Sequence, residues 1–317
     1  MAVTLLDASQ ATNAASQPSI VPIIVETVPE LAKIPFETAK TLQYEYTVES
    51  SLPAPAFRGR GEAYSGSNAV FFKDRIDLKF LGGQVDLDRK HANLPLVDQK
   101  TMVARQLDAH ARAISLFFKK TVFNGKVSES PKAFNGIDHY LAQGDFSGQT
   151  VSLNSSGSTI AAAGAQVVLE KMLALVGVMK DIDAFYTNRT ILFHLAALAK
   201  TKATNEEFAK EFTLKFEEVL PGIKRPVGYF MGLPMYALDN DETDTEILSF
   251  TETNSTAGIY AVKWGKNYLV PIQDQEMGPE MFAYEDGTGR HVGFDWAVNI
   301  VPEQVKCIGK LDQIKAS

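Results

Sequence analysis

The sequence predicts an α+β protein built around one long helix, because neighbouring stretches differ sharply in their hydrophobic pattern. Apolar and polar side chains alternate over residues 41–90, whereas apolar side chains recur every three or four positions over residues 95–123. Alternation is typical of strands, and steps of three and four keep one face of a helix apolar. The residues after 150 carry both patterns in succession. Strands and helices in separate blocks are typical of the α+β class.

The N-terminal 36 residues predict an arm. Residues 1–20 are small and polar, which is typical of a terminus that stays loose unless something holds it. Residues 20–36 are apolar at helical spacing and close at Ile34-Pro35, which predicts a short amphipathic helix. Such a helix is marginal alone and needs a surface to lie on. A neighbouring subunit and the body of the same chain are both candidates for that surface.

Residues 41–90 predict a β-ribbon. Turn-forming prolines and glycines separate its alternating runs, and charged side chains are frequent. An isolated two-stranded ribbon is barely stable in water, so we expect this one to pack against another surface. The alternating apolar positions are Tyr44, Tyr46, Val48, Ile76, Leu78, Phe80, Val85 and Leu87.

The long helix is predicted over residues 95–123. Pro95 suits a first helical turn, where its missing N–H costs little, and Asn124-Gly125 predicts a left-handed stop. A helix of that length reaches roughly 40 Å, far beyond the usual 11–12 residues. We therefore interpret it as a strut that fixes the shape of the molecule.

The remaining chain predicts a mixed module followed by strands. Helices are expected over 160–180 and 189–200, the second capped by Asn188, and a further helical stripe at Phe208, Phe212, Phe216 and Val219, capped by Asn205. The predicted strands are 184–186, 227–231, 235–238, 258–264, 268–272, 281–284, 291–301 and 305–308.

Composition excludes several classes of protein. The 317 residues are 45% hydrophobic and 22% charged, which are ordinary globular values. The net charge of −7 and the scattered positive residues do not resemble a surface that reads nucleic acid. Cys307 is the single cysteine, so a reducing site of synthesis is expected. We expect neither a signal peptide nor a membrane span.

Motifs for chemistry are few. The sequence has no G-x-S-x-G elbow, no P-loop and no H-E-x-x-H helix, and no pair of its five histidines has metal-ligand spacing. The acidic run from Asp239 to Glu246 lacks the glycine of a calcium loop, which favours a solvated loop. Gly287-Thr288-Gly289 favours a hairpin turn. We therefore expect no enzyme activity, no metal and no cofactor.

The ribbon charges allow two interpretations. The five residues concerned are Arg58, Arg60, Lys73, Asp74 and Arg75. They are either solvated ribbon charge or ion pairs between subunits, which would specify contacts more than they stabilise them. The sequence leaves both open.

A resemblance unites these elements. The chain resembles the major capsid proteins of tailed bacteriophages, whose Hong Kong 97-like fold is shared with encapsulins. The likeness covers nearly the whole chain as a succession of weak motifs in the family's order and spacing. The stretches that carry it are 24–36 (N-terminal arm), 41–90 (extended loop), 95–123 (spine helix), 121–125 with 134–137 (exit from that helix), 184–188 and 232–236 (axial domain), and 294–308 (closing strands).

This resemblance implies four parts of the chain. They are an N-terminal arm over 1–40, an extended loop over 41–92, a peripheral domain over 93–150 and 262–317 with the spine helix 95–123, and an axial domain over 151–261. No long charged helical segment precedes the arm, so a separate scaffolding protein is expected instead of a fused one.

The resemblance also implies a function. The chain would assemble into pentamers and hexamers of an icosahedral phage head that encloses double-stranded DNA without sequence-specific binding. Its partners would be further copies of itself, a portal protein, a scaffolding protein and decoration proteins. It would be made and assembled in the host cytoplasm and reside in the virion. The alternatives are an encapsulin shell and, in a different class, an α/β hydrolase-like enzyme, which would need convergent titratable groups in one pocket.

We expect the shell to be held without covalent bonds. Crosslinked members of the family need a lysine, an asparagine and a catalytic acid that meet between subunits. Lys73 or Lys79 could supply the lysine, but the sequence offers no match for the other two. Cys307 follows Val305 in an apolar alternation that predicts a buried, inert thiol.

Overall fold

A computed structural model describes most of the chain. The residues it describes are 3–4, 27–30, 33–88, 99–154, 157–200, 206–220, 223–241, 243–252, 255–275, 279–286 and 289–315. Most of the helix predicted over 20–36 and the cap predicted at Asn205 lie outside these residues. The described remainder corrects the helix prediction, because residues 28–30 and 33–34 are not helical and Pro35–Thr38 is a strand.

The described elements alternate between short helices and strands, with one long helix. The helices are α1 (Gln99–Asn124), α2 (Ile137–Leu141), α3 (Ile160–Ala163), α4 (Ala165–Val178), α5 (Arg189–Lys200) and α6 (Glu206–Glu211). The strands are β1 (Val3–Thr4), β2 (Pro35–Thr38), β3 (Gln43–Ser51), β4 (Val70–Asp77), β5 (Lys79–Asp88), β6 (Thr150–Ser152), β7 (Ser158–Thr159), β8 (Ala184–Asn188), β9 (Phe212–Leu220), β10 (Ile223–Phe230), β11 (Leu233–Leu238), β12 (Thr256–Val262), β13 (Leu269–Gln273), β14 (Glu280–Glu285), β15 (Gly289–Pro302) and β16 (Ile308–Lys315).

The predicted long helix is confirmed as α1, which has 26 residues. Its predicted first residues, 95–98, lie outside the described part of the chain. The prediction of a left-handed stop was wrong, because Gly125 is not among the residues with positive φ. Gly125 is needed for close approach instead: a Cβ there would lie 2.5 Å from the carbonyl oxygens of both Thr121 and Phe134. This contact turns the chain sharply at the end of the helix.

The first sheet has six strands and is centred on β15. Residues 290–295 of β15 pair with β5 and with β14 at the same positions, so these two strands lie on opposite edges of β15. Strand β13 pairs with residues 298–302 of β15, which follow the residues paired with β14. Strand β2 pairs with β13, and β1 pairs with β2. The hairpin predicted around Gly287–Gly289 is confirmed, because Glu285 pairs with Arg290.

The second sheet has eight strands in the order β6-β16-β12-β8-β11-β10-β9, with β7 also pairing with β16. Helices α4 and α5 pack on it over a core that includes Leu175, Leu192 and Phe185, all inaccessible to solvent. The predicted cap of α5 is confirmed, because the Asn188 side-chain oxygen accepts the backbone N–H of Thr190 at 2.6 Å.

The predicted domain boundaries stay a proposal, and strand pairing argues for moving one of them. Strand β16 (308–315) pairs with β12 inside the eight-stranded sheet, together with strands that were assigned to the axial domain. The part of the peripheral segment that shares a sheet with the ribbon-side strand β5 is therefore 269–302, without 308–315.

Helix α1 contacts both sheets. Phe118 lies against Trp296 of β15, with 4.7 Å between ring centroids, and Phe36 of β2 closes the same cluster at 5.7 Å from Trp296. Five residues later, Phe123 lies 5.2 Å from Tyr186 of β8. One helix thus sets the position of the two sheets relative to each other.

The predicted helical stripe from Phe208 to Val219 was wrong. Helix α6 ends at Glu211, and Phe212 begins β9, which pairs with β10 along its whole length. The three phenylalanines are spaced by four, an even number, so the pattern fits a strand as well as a helix. Pairing with β10 decides in favour of the strand.

Two smaller predictions also need correction. The helix predicted over 160–180 is split into α3 and α4 by Gly164, whose φ is +81°. The residues Val305–Cys307 form a 3-10 turn and not a strand, and β16 starts after them. The expected burial of Cys307 is confirmed, and burial raises the pKa of its thiol to about 12.

The seam between α1 and β15 gives a stability prediction. Phe118→Ala should lower the free energy of unfolding by about 3–5 kcal/mol, since it removes a buried ring and leaves a cavity. Phe117→Ala is the matched control, because the neighbouring ring is 41% exposed and should cost less than about 1 kcal/mol. Urea denaturation followed by circular dichroism measures both. Equal losses would mean that α1 does not present this face to β15.

Candidate assembly surface

The ribbon is formed by β3 and β4, which pair from Gln43↔Asp77 to Ser51↔Val70. Its base is anchored on the body of the molecule. Tyr44, Tyr46 and Ile76 pack against a small buried cluster that includes Ile272 of β13. The Tyr44 hydroxyl also donates a hydrogen bond to the Glu303 carboxylate at 3.0 Å. The ribbon therefore leaves the six-stranded sheet in a fixed direction.

The ribbon tip, residues 52–72, exposes large apolar side chains. Phe71 and Phe72 are each 60% exposed, and Phe57 at the end of the loop is fully exposed. Neighbouring residues of a strand point to opposite faces, so Phe71 and Phe72 expose apolar surface on both sides of the ribbon. Every residue from 52 to 68 is exposed. The described part of this chain covers neither face of the tip.

The predicted contact residues lie on this ribbon but in two groups. Arg58 and Arg60 lie in the loop, and Lys73, Asp74 and Arg75 lie on β4. The loop and the strand do not bring the five together into one cluster.

Several of these charges have partners within their own ribbon. The Arg75 Nε lies 2.8 Å from Glu45 Oε1, with both side chains more than half exposed. Asp74 accepts a hydrogen bond from the Tyr46 hydroxyl at 2.9 Å. Such exposed pairs contribute little stability. An intersubunit role for these five residues stays a prediction.

An ionic junction of Glu30, Lys119, Arg225 and Asp239 lies beneath the N-terminal segment. Arg225 Nη1 lies 2.6 Å from Glu30 Oε1 and also bonds Asp239, so it joins residues 27–30 to the start and end of the β10–β11 hairpin. The Glu30 side chain is 2% exposed. This junction ties the arm to the eight-stranded sheet.

Lys119 is the buried member of the junction on α1. It is inaccessible to solvent, and its Nζ has no hydrogen-bond partner among the described residues. Burial lowers the pKa of Lys119 and raises the pKa of Glu30, while their mutual attraction opposes both shifts. Lys119 and Glu30 are thus shielded from water, whereas Arg225 and Asp239 remain partly exposed.

The prediction that the acidic run from Asp239 to Glu246 is a solvated loop was wrong at Asp241, which is buried. Its side chain is 2% exposed and lies 2.7 Å from the Lys120 Nζ of α1. It also accepts the backbone N–H groups of Thr243 and Thr245, both at 2.9 Å. Desolvation opposes ionisation, but these donors outweigh it and hold the pKa of Asp241 far below its usual range. The loop is therefore fastened to the long helix.

A polar pocket of about 530 Å³ opens beside the end of α1, between α2, residues 247–252 and strands β12 and β16. Within it, the Lys310 Nζ lies 2.8 Å from Asp138 Oδ1 and 2.8 Å from Glu252 Oε1. The same ammonium lies 4.9 Å above the ring of Tyr260. Burial disfavours the charged lysine, but the two carboxylates outweigh it and raise the pKa of Lys310.

Convergent titratable groups therefore do meet in one pocket, as the hydrolase alternative required. They satisfy one another, however: both carboxylates are bonded to the ammonium of Lys310, and the Tyr260 hydroxyl donates to Asp138 at 3.1 Å. Burial raises the pKa of Tyr260 well above its usual value. This pairing leaves neither carboxylate free to act as a general base.

Two further observations concern the described residues only. None of their helices combines the length and the apolar character needed to cross a lipid bilayer. Within the same ranges, no three His, Cys, Asp or Glu side chains are grouped so that they could hold a metal ion.

The structure of the chain is similar to solved structures of an encapsulin and of capsids. The chain is similar to the encapsulin of a holo-SrpI complex from Synechococcus elongatus PCC 7942, with a TM-score of 0.61, 10% identity, and 98% and 96% of the two chains covered. It is similar to the capsid of a native GTA particle, with a TM-score of 0.62, 13% identity and coverages of 94% and 91%. It is also similar to the capsid of Myoviridae phage XM1, with a TM-score of 0.57, 12% identity and coverages of 88% and 90%.

No family model and no curated protein matches the sequence. At these identities the likeness establishes the fold, which is the Hong Kong 97-like fold predicted above. The α+β class is confirmed with it.

The ionic junction predicts a second stability effect. Arg225→Met should lower the free energy of unfolding by about 3–5 kcal/mol, since it leaves the buried Glu30 carboxylate without its donor. Arg75→Met is the matched control, and loss of its exposed pair with Glu45 should cost at most about 1 kcal/mol. Urea denaturation at neutral pH compares the two. If Arg225→Met were as mild as the control, the junction would not be closed in solution.

Asp241 predicts a pH dependence. Its folded pKa lies below the unfolded value of about 3.9, so the carboxylate contributes stability above that pH and loses it as pH falls through the folded value. Asp241→Asn should therefore be less stable than the wild type at pH 7, and the gap should narrow below about pH 4. Thermal unfolding across this pH range measures the gap. A gap that stays constant would argue against the ion pair with Lys120.

Proposed function

We propose that this chain is the major capsid protein of a tailed phage, which assembles into pentamers and hexamers of an icosahedral head around double-stranded DNA. The observation that carries the proposal is the ribbon tip, where Phe71 and Phe72 expose apolar surface on both faces. The shell-forming role of the proteins that share its fold supports it.

The ribbon is built to reach another molecule. Strand β3 has nine residues, which span about 30 Å at roughly 3.3 Å per residue. Only its base, around Tyr44 and Tyr46, packs on the chain's own core. Exposed apolar patches of this kind mark interaction sites. A second copy of the chain is the simplest partner, since the solved structures that share this fold include an encapsulin complex and capsids.

Repetition of that contact generates a shell. A contact between two different surfaces of identical subunits is heterologous, and it forms closed rings or open lattices according to the rotation between subunits. The rotation must be fixed if the shell is to close. Helix α1 fixes it, since Phe118 and Phe123 hold both sheets on one rigid rod.

We further propose that the shell is non-covalent. Lys79, one of the two candidate crosslinking lysines, donates a hydrogen bond to the Pro131 carbonyl of its own chain at 3.4 Å. Cys307 is buried, and a pKa of about 12 keeps its thiol protonated. The stability of the shell then comes from apolar burial beneath many ribbons.

An encapsulin shell is the second candidate, favoured by coverage of 98% of this chain by the Synechococcus encapsulin. Both candidates predict the same assembly and differ in contents. Particles that protect double-stranded DNA from nuclease favour the phage head, and particles that retain a protein cargo favour the encapsulin. A portal, a separate scaffold and decoration proteins are partners of the first candidate only.

The ribbon tip gives the decisive variant. Phe71→Ser with Phe72→Ser should leave the subunit folded, because both rings are largely exposed, and should abolish particles. Light scattering and electron microscopy at micromolar protein measure particles, and circular dichroism measures folding. Phe193→Ser is the matched control, since that ring is 38% exposed on α5, outside the ribbon. Wild-type protein that stays a 34.7 kDa monomer, with or without scaffold, would refute the proposal.

A further inference from the structure

We infer that a protonated His291 links β5 to the β14–β15 hairpin, and that this link opens when the imidazole loses its proton. The link lies at the end of the six-stranded sheet where the hairpin turns, far from the ribbon base. The inference goes beyond the proposed function and does not depend on it, because all of the groups involved belong to one subunit.

The imidazole of His291 lies between two carboxylates. Its Nδ1 is 2.7 Å from Asp86 Oδ1, and its Nε2 is 3.0 Å from Asp286 Oδ2. Asp86 belongs to β5, and Asp286 begins the turn that leads from β14 into β15. The ring therefore joins two segments that are distant in the sequence.

Only a protonated ring suits both carboxylates at once. A neutral imidazole has one N–H donor and one lone pair, whereas the imidazolium has two N–H donors. Either neutral form would place a lone pair against a carboxylate oxygen. The Nε2 atom is buried, so water does not reach it to separate such a lone pair from Asp286. The contacts of both nitrogens therefore require the imidazolium.

Further donors hold the two carboxylates in position. Asp86 Oδ1 also accepts the side-chain N–H of Gln84 at 3.0 Å, and Asp286 Oδ1 accepts the backbone N–H of Gly289 at 2.9 Å. The Tyr284 ring stacks on the imidazole, with 4.6 Å between centroids and 20° between planes. An aromatic face attracts a cation. The surroundings of the ring are thus arranged for its charged form before the proton binds.

The register of the strands shows which other charges face the ring. Positions 285 and 290, a glutamate and an arginine, pair with each other and alternate to the opposite face of the sheet. On the face of His291, the one further charged residue at a neighbouring position is Asp88, which pairs with Gly289. The uncharged neighbours on this face are Gln84, Phe282, Tyr284, Gly289 and Gly293. The charged positions around the ring are therefore acidic.

These carboxylates favour the protonated form. Asp86 raises the pKa of His291, the loss of solvent around the ring opposes this rise, and Asp286 adds to it. A raised folded pKa gives a contribution to stability that is fully present below the unfolded pKa of about 6.5. That contribution is lost as pH rises through the folded value. The link is therefore closed in mild acid and opens toward alkaline pH.

Histidine-specific hydrogen exchange, read by mass spectrometry, tests the proton. It measures the pKa of His291 in free subunits and in particles alike, and this pKa should lie above the ordinary value of about 6.5. Asp86→Asn and Asp286→Asn should each lower it, because each removes a carboxylate that contacts the ring. Glu280→Gln is the matched control, since it removes an exposed carboxylate of β14 that bonds Gln275 instead.

Two results would overturn this assignment of the proton. One is a His291 that titrates at or below about 6.5 in the wild type. The other is a pair of asparagine variants in which the pKa of His291 matches that of the Glu280→Gln control.

Backbone amide exchange tests the opening of the link. After correction for the intrinsic effect of pH on exchange, protection of residues 84–88 and 283–292 should fall between about pH 6 and about pH 9. Protection of the buried strand β12 should stay constant over the same range. His291→Gln should remove the pH dependence, because glutamine does not titrate. Equal protection of the hairpin across the range, or a dependence that persists in His291→Gln, would show that this proton does not hold the two segments together.

Discussion

The contact of α1 with both sheets is the constraint on which the rest of the structure depends. Phe118 packs on Trp296 in the six-stranded sheet, and Phe123, more than one turn later, packs on Tyr186 in the eight-stranded sheet. Both rings are fully or almost fully buried, so the helix cannot turn or slide without opening a core. The angle between the sheets is thereby set by one rod. The same helix and sheets also set the direction of the ribbon, because Tyr44 packs against the small buried cluster that includes Ile272 of β13.

Ionic contacts then fasten the peripheral segments to this frame. Lys120 of α1 holds the loop after β11 through Asp241, and Arg225 holds the arm through Glu30. Apolar packing has no direction, whereas these bonds require particular atoms to meet, so they fix where a loop or an arm lies. The frame supplies stability, and the buried charges select one arrangement of the segments that cross it.

The sequence predicts the frame much better than the sites. Strong periodicity identified α1, a short apolar run identified the buried strand β8, and the order of weak motifs identified the fold. The stripe at Phe208 to Phe216 was misread because a spacing of four suits both a helix and a strand, and only pairing with β10 distinguishes them. The ribbon charges were located, but Asp138, Glu252 and Lys310 come from three distant segments. No local pattern reports that such residues meet.

The ribbon tip has a consequence for how the stability of this protein should be understood. A part of the chain whose apolar faces are covered only by neighbours gains its free energy by mass action, as a ligand-binding site does. In the proposed shell, the stability that neighbouring subunits add to the tip would rise with the logarithm of subunit concentration. Each subunit would then act as the ligand of the next. In the proposed shell, the loss of one contact should have little effect on stability. The whole shell should dissociate, however, once free subunits become scarce.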